Sequence, residues 1–121
     1  MGRVKEELWA DYYEDGTVVY NPSLDQLTRL IVQWGHQKGI LPNGQAEKQF
    51  EKTVEEVAEL KDAIAEKDIP EIADAIGDIV VTLIMQCEVQ GLNFRECVHG
   101  AYDVISKRTG KMIDGVFVKD S

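Results

Sequence analysis

Lys52-Thr53-Val54-Glu55-Glu56-Val57-Ala58-Glu59-Leu60 and, after a break at Asp68-Ile69-Pro70, Glu71-Ile72-Ala73-Asp74-Ala75-Ile76-Gly77-Asp78-Ile79 decide the fold of this chain. Both stretches read as helix, with apolar and acidic residues recurring at spacings of three and four. The break restarts the chain, since proline is well placed in the first turn of a helix. The first helix runs from about Gln45 to Lys67, with the apolar stripe Phe50, Val54, Val57, Leu60 or Lys61, and Ile64. At about 100° per residue the stripe centres between Val57 and Leu60. Glu56 falls on its edge, and Glu59, Lys52 and Glu55 follow progressively outward. Glu56 and Glu59 are therefore expected where a neighbouring helix packs. The second helix is expected from Pro70 to about Gln90, ending at Gly91. It is apolar nearly all round (Ile72, Ile76, Ile79, Val80, Val81, Leu83, Ile84), which suits the middle of a bundle or a subunit interface. Its first half nevertheless carries Glu71, Asp74 and Asp78 on one face.

Upstream, Ser23 and Gln26 form a capping box. Leu24, Leu27, Leu30, Ile31 and Trp34 continue it as a helix that ends at Gly39 and the loop Pro42-Asn43-Gly44. Before it, Asp15-Gly16 marks a turn, and Thr17-Val18-Val19-Tyr20 reads as a short extended piece. Downstream, Asn93 and Glu96 form a second capping box. Phe94, Cys97, Val98, Ala101 and Ile105 make the stripe of a helix expected to end near Thr109-Gly110. The tail Met112–Val118 has turn character at Asp114-Gly115 and extended character around it. The expected fold is all-α: a four-helix bundle with short loops, one domain over residues 1–121, with an N-terminal extension (1–20) and a C-terminal tail (109–121).

Hydrophobic residues make up 44% of the 121, enough for a core and too many for a disordered chain. The longest strongly apolar run, Ile79 to Met85, is broken by Thr82 and falls far short of the roughly 20 residues of a membrane span. The N-terminus has no apolar core resembling a signal peptide. A soluble, cytoplasmic protein with no membrane partner is expected. Cys87 and Cys97 stand in no close-spaced metal pattern and read as small buried thiols in a reducing compartment. The net charge of −9 disfavours binding to a nucleic-acid polymer. Ten of the 22 acidic residues fall between Glu51 and Asp78, against three lysines there, whereas Lys107, Arg108 and Lys111 form a small basic cluster in the tail.

A carboxylate such as Asp78 on an almost wholly apolar helix costs several kcal/mol if buried unpaired. Its sequence neighbours are more acids, not bases. Like charges packed together take up protons or bind cations. Glu55, Glu56, Glu59, Glu71, Asp74 and Asp78 near one helix–helix seam therefore point to a divalent metal. Oxygen-only ligands, with no histidine at ligand spacing, suit Mg²⁺ or Mn²⁺ better than Zn²⁺. Glu51, Asp62 and Glu66 read as an ordinary solvated helix face, and Glu71 also favours a helix N-terminus electrostatically. His36 and His99 are isolated and read as surface or structural.

At these residues the sequence resembles the MazG family of all-α nucleoside triphosphate pyrophosphohydrolases, small single-domain type, in its Glu-Glu-x-x-Glu and Glu-x-x-Asp motifs. The tail, Ser106 to Lys111 followed by Gly115 to Lys119, is also similar to that of small members. The resemblance spans roughly residues 24–119. It implies Mg²⁺-dependent hydrolysis of (deoxy)nucleoside triphosphates to monophosphate and pyrophosphate by a metal-activated water. By position, Glu56, Glu59 and Asp78 match metal ligands, and Glu55 matches a ligand or water-orienting acid, so Glu55 and Glu56 are the catalytic candidates. Lys52, Lys107, Arg108 and Lys111 are candidates for phosphate contacts. Trp34 could stack on a base, although it also lies on the apolar stripe of its helix and suits core packing. Where many members carry a glutamate this chain has Ala75, leaving Asp74 or Glu71 to complete the ligand set. Asp103 stands where asparagine is common, and would need Lys107 or Arg108 as a partner. The all-round apolar helix, with the family, implies a homodimer or a dimer of dimers. Competing readings are a narrower relative acting on dUTP or phosphoribosyl-ATP, and a catalytically silent helical protein that binds metal or nucleotide.

Overall fold

Only Lys67 and Asp68 separate the two acid-bearing helices. In the computed structural model, which describes residues 10–12 and 18–121, α2 (Ala46–Glu66) ends at Lys67 in the left-handed conformation, φ 56° and ψ 34°. The Lys67 N–H donates to the Ile64 carbonyl and the Asp68 N–H to the Ala63 carbonyl, each at 3.1 Å. These bonds satisfy carbonyls that the helix end leaves over. The Asp68 side chain then accepts from the Glu71 N–H at 3.2 Å and caps α3 (Ile69–Val89). One residue thus closes one helix and opens the next, and so tight a turn folds α3 back antiparallel along α2. The expected start at Pro70 moves to Ile69.

α1 (Leu24–Gln37) carries the reciprocal Ser23–Gln26 capping box. α4 (Phe94–Ile105) is capped by the Asn93 side chain, which accepts from the Glu96 N–H at 2.9 Å. α4 stops at Ile105, four residues before the expected end, because the chain turns through Ser106–Arg108 into a hairpin of β3 (Gly110–Ile113) and β4 (Val116–Lys119). Asp114 and Gly115 both have positive φ, 50° and 82°, as the tight turn of a two-residue hairpin requires. β1 (Ala10–Tyr12) pairs antiparallel with β2 (Val18–Tyr20), so the extended reading holds at Val18–Tyr20, while Asp15, Gly16 and Thr17 lie outside the described residues. The chain is mostly helical, as expected, with two small antiparallel sheets at the extended stretches.

α3 is the hub, packed along α2 and against α1 and α4. Ile84 and Met85, 1% and 2% exposed, form the core with Leu41, flanked by Ile31, Val32, Ile40, Val80, Val89 and Phe94. Gly35 lets α1 approach: a Cβ there would lie 2.6 Å from Met85 Sδ. Arg95 on α4 pairs with Asp25 on α1 at 2.6 Å.

The apolar stripe of α2 does not pack on α3. The residues of α2 that are buried or half-buried are Ala46, Gln49, Thr53, Glu56, Leu60 and Ala63, and this seam is small and polar. The stripe Phe50, Val54, Val57 and Ile64 lies one residue on and is 49–61% exposed. On α3, Ile76 and Leu83 likewise follow the seam residues Ala75 and Thr82 by one, and both are exposed, as is Ile69. One residue is a 100° rotation. In two antiparallel helices that rotation carries both stripes to the same side, so the α2–α3 hairpin presents one continuous exposed apolar face. α4 buries no residue. Four helices are present, but α4 is open rather than enclosed in a bundle. Cys97 on α4 is exposed, which corrects its reading as a buried thiol. Cys87 is buried. Among the described residues no helix is long and apolar enough to cross a membrane.

Candidate metal centre

Glu56 sits on the α2 seam, and Glu59 follows it one turn later. Asp78 reaches the same point from α3. One carboxylate oxygen from each of Glu56, Glu59 and Asp78 lies within 4.8 Å of the others. Glu56 is half-buried, and its Oε2 is buried with no hydrogen-bond partner. Burial pushes the Glu56 carboxyl up from its ordinary range, helped by a hydrogen bond with Glu59 and by the negative charges of Glu59, Asp78 and Glu55. Such a carboxyl either keeps its proton or meets a cation. The bare Oε2 and the all-oxygen donor set fit a hard divalent cation such as Mg²⁺ or Mn²⁺. Glu59 and Asp78 are themselves exposed. The cost of burial expected at Asp78 is therefore borne by Glu56, because Asp78 opens onto cavities.

Two cavities adjoin the cluster, with Asp78 on the wall of both. One, of about 390 Å³, is lined by Trp34, Ile40, Gln49, Lys52, Glu56, Asp78, Val81, Thr82 and Met85. It has an apolar floor of Ile40, Val81 and Met85, and an exposed tryptophan, two acids and one lysine also line it. Trp34 is 41% exposed, so it belongs to this wall rather than to the core. The other, of about 410 Å³, is lined by Glu59, Asp62, Ala63, Glu66, Glu71, Asp74, Ala75 and Asp78. Glu71 and Asp74 thus stand beside the three-carboxylate cluster and not within it. Asp62 and Glu66, read as a solvated face, line this cavity too.

Glu55 is exposed and faces Lys52 at 3.5 Å. Lys107, Arg108 and Lys111 are exposed and line neither cavity. Asp103 faces His99 at 3.7 Å, a charged pair only when the histidine is protonated, rather than Lys107 or Arg108. Sequence reasoning missed the polar clasp behind the acids. Gln49 Nε2 donates to the Thr82 carbonyl at 3.1 Å, and Thr53 Oγ1 meets Thr82 Oγ1 at 3.0 Å. The available signal was that Gln49, Thr53 and Glu56 share one helical face, and that Thr82 interrupts the apolar run of α3.

A family model described as the MazG nucleotide pyrophosphohydrolase domain matches residues 45–113. That span contains α2, α3, α4 and β3, including all three converging acids. An uncharacterized 18.2 kDa protein of Haemophilus phage HP1, from its rep-hol intergenic region, is 34% identical over 62 residues. The match covers 51% of this chain and only 38% of the phage protein. No solved structure matches the chain.

Proposed function

The chain belongs to the MazG nucleotide pyrophosphohydrolase family, and from that premise we propose that it hydrolyses nucleoside triphosphates to the monophosphate and pyrophosphate with Mg²⁺ held at Glu56, Glu59 and Asp78. The observation that carries this reading is the convergence of one carboxylate oxygen from each of Glu56, Glu59 and Asp78 within 4.8 Å, together with a Glu56 Oε2 that is buried and unpartnered. Glu56, Glu59 and Asp78 would hold the Mg²⁺, which would supply positive charge against the phosphates and lower the pKa of the attacking water. Glu55, exposed beside the cluster, orients the attacking water and accepts its proton. Lys52 leaves Glu55 for the phosphates. Trp34 and the apolar floor beneath it take the base, with Met85 and Val81 excluding water from that end. Glu71 and Asp74 hold outer positions from which the ligand set can be completed, standing in for the missing acid at Ala75. Lys107, Arg108 and Lys111 line neither cavity, so in this reading they attract the polyanionic substrate from the surface rather than hold it. A cytoplasmic setting, where nucleoside triphosphates and Mg²⁺ meet, fits this activity.

The exposed apolar face of the α2–α3 hairpin supports a second element of the proposal, a homodimer closed through that face. Ile69, Ile76 and Leu83 stand seven residues apart, the repeat of a helix-to-helix seam. The acids point to the other side of the hairpin, so closure leaves the cavities open to substrate. The test of activity is a panel of ribo- and deoxyribonucleoside triphosphates assayed for pyrophosphate with Mg²⁺ and again with chelator. Pyrophosphate from at least one nucleotide, abolished by chelation, is expected. No pyrophosphate from any of them rejects the enzyme.

A further inference from the structure

We propose that Thr82 is a positioning residue: with Thr53 and Gln49 it locks the axial register of α2 against α3 and so sets the spacing of the Glu56, Glu59 and Asp78 carboxylates. The proposal rests on the metal reading above and extends it to groups that touch neither metal nor substrate. Thr82 and Gln49 are 9% and 8% exposed, the buried polar residues of the chain's described core. Thr82 Oγ1 donates to the Ile79 carbonyl at 2.7 Å. Its one hydroxyl hydrogen is thereby used, so in the 3.0 Å contact with Thr53 it can only accept, and Thr53 must donate. The Thr82 carbonyl accepts in addition from Gln49 Nε2 at 3.1 Å. One residue of α3 is thus held at two atoms by two residues of α2.

The clasp stands next to the acids. Thr53 precedes Glu56 by three residues and Thr82 follows Asp78 by four, about 4.5 and 6 Å along the helix axes. Elsewhere on this seam Gln86 Nε2 donates to the Ala46 carbonyl at 3.2 Å, at the end of α2 remote from the acids, and Leu60 is half-buried. Ala46, Ala63 and Ala75 offer no large side chain to interlock, and Phe50, Val54, Val57 and Ile64 face the other way, so the clasp is the cross-helix polar contact nearest the acids. Glu56 Oε2 has no hydrogen-bond partner, and the hydrogen bond that the carboxyl makes is to Glu59, itself a member of the cluster. A slip of one residue would move a carboxylate by about 1.5 Å and turn it by about 100°, which would disperse the cluster.

The test is Mn²⁺ binding to the nucleotide-free protein, followed by the electron paramagnetic resonance signal of the free ion. Thr82→Val keeps the shape and removes the hydroxyl. Thr82→Ser keeps the hydroxyl and removes a methyl. Thr82→Val is expected to weaken Mn²⁺ binding by about tenfold or more, and Thr82→Ser to stay within about twofold of wild type, the range typical of groups that orient metal ligands. Helicity by circular dichroism should match wild type in both. Should Thr82→Val fail to fold, Thr53→Val removes the donor from the half-buried side, with the same expected loss. Wild-type Mn²⁺ affinity in Thr82→Val, where Glu56→Ala abolishes binding, overturns the positioning role and leaves the metal centre standing. Equal losses in Thr82→Val and Thr82→Ser overturn it as well, because packing and not the hydroxyl would then matter. If the wild-type protein binds no Mn²⁺, the metal centre itself fails and the clasp loses its object.

Discussion

Glu56 is the residue at which burial, charge and chemistry meet. Burial and the charges of Glu59, Asp78 and Glu55 raise its pKa, so in the metal-free folded protein this carboxyl gives up its proton at a higher pH than in the unfolded chain. Across the window from the ordinary glutamate range up to the raised value, the folded state binds more protons. Stability from this group is therefore present at low pH and lost as pH rises through the window. Thermal unfolding in chelator should show this slope in wild type and lack it in Glu56→Gln, and Mg²⁺ should flatten the wild-type slope. Identical slopes in wild type and Glu56→Gln would contradict the assignment. Glu56 was legible in the sequence because an acid on the edge of an apolar stripe is conspicuous. Its protonation depends on where Asp78 and Glu59 lie in space, which residue spacing alone does not fix. The gap at Ala75 was legible too, and the structure places Glu71 and Asp74 around it without drawing them into the cluster.

Among the elements, the turn at Lys67-Asp68 governs the geometry of the site, since it sets how α3 meets α2. Lys67 holds a left-handed backbone that a Cβ disfavours. Lys67→Gly should stabilise the protein by about 0.5–1 kcal/mol, offset in part by the greater freedom of glycine when unfolded. Denaturant unfolding measures this, and a loss of stability would show that the lysine side chain matters more than its backbone. Helix starts were legible because Ser23, Asn93 and the Asp68-Ile69-Pro70 break are local signals. The end of α4 was not. Its periodic stripe stops at Ile105, but no glycine or proline stands between Ile105 and Gly110 to break the chain, and what turns it away earlier is the hairpin pairing of Gly110–Ile113 with Val116–Lys119, a contact within the tail that helical periodicity does not register. The polar seam was hidden for a related reason. Helical periodicity identifies the most apolar face of α2, whereas the face that meets α3 is the one bearing Gln49, Thr53 and Glu56.

For the whole molecule, that mismatch becomes evidence about assembly. The stripe Phe50, Val54, Val57 and Ile64 was readable from the sequence, but its cover was not, because periodicity says that a face is buried and not by what. In one chain it stays exposed beside Ile69, Ile76 and Leu83. On the dimer reading proposed above, a second copy covers this exposed apolar face. Sedimentation should give a dimer for wild type and a monomer for Ile76→Asp, whose charge would be buried against its symmetry mate at several kcal/mol. A wild-type monomer at every concentration would reject the closed face.

On the proposed reading, Glu56, Glu59 and Asp78 form one metal centre, and this centre does the chemistry. The most direct measurement is the rate of pyrophosphate release with Mg²⁺ by wild type, Glu56→Gln and Asp78→Asn, each checked for unchanged helicity. Removing one charged ligand while keeping its shape should lower the rate by about a hundredfold or more in both variants, within the range seen when an electrostatic contact to the transition state is lost. Wild-type rates in either folded variant would rule out a shared catalytic metal centre at these residues.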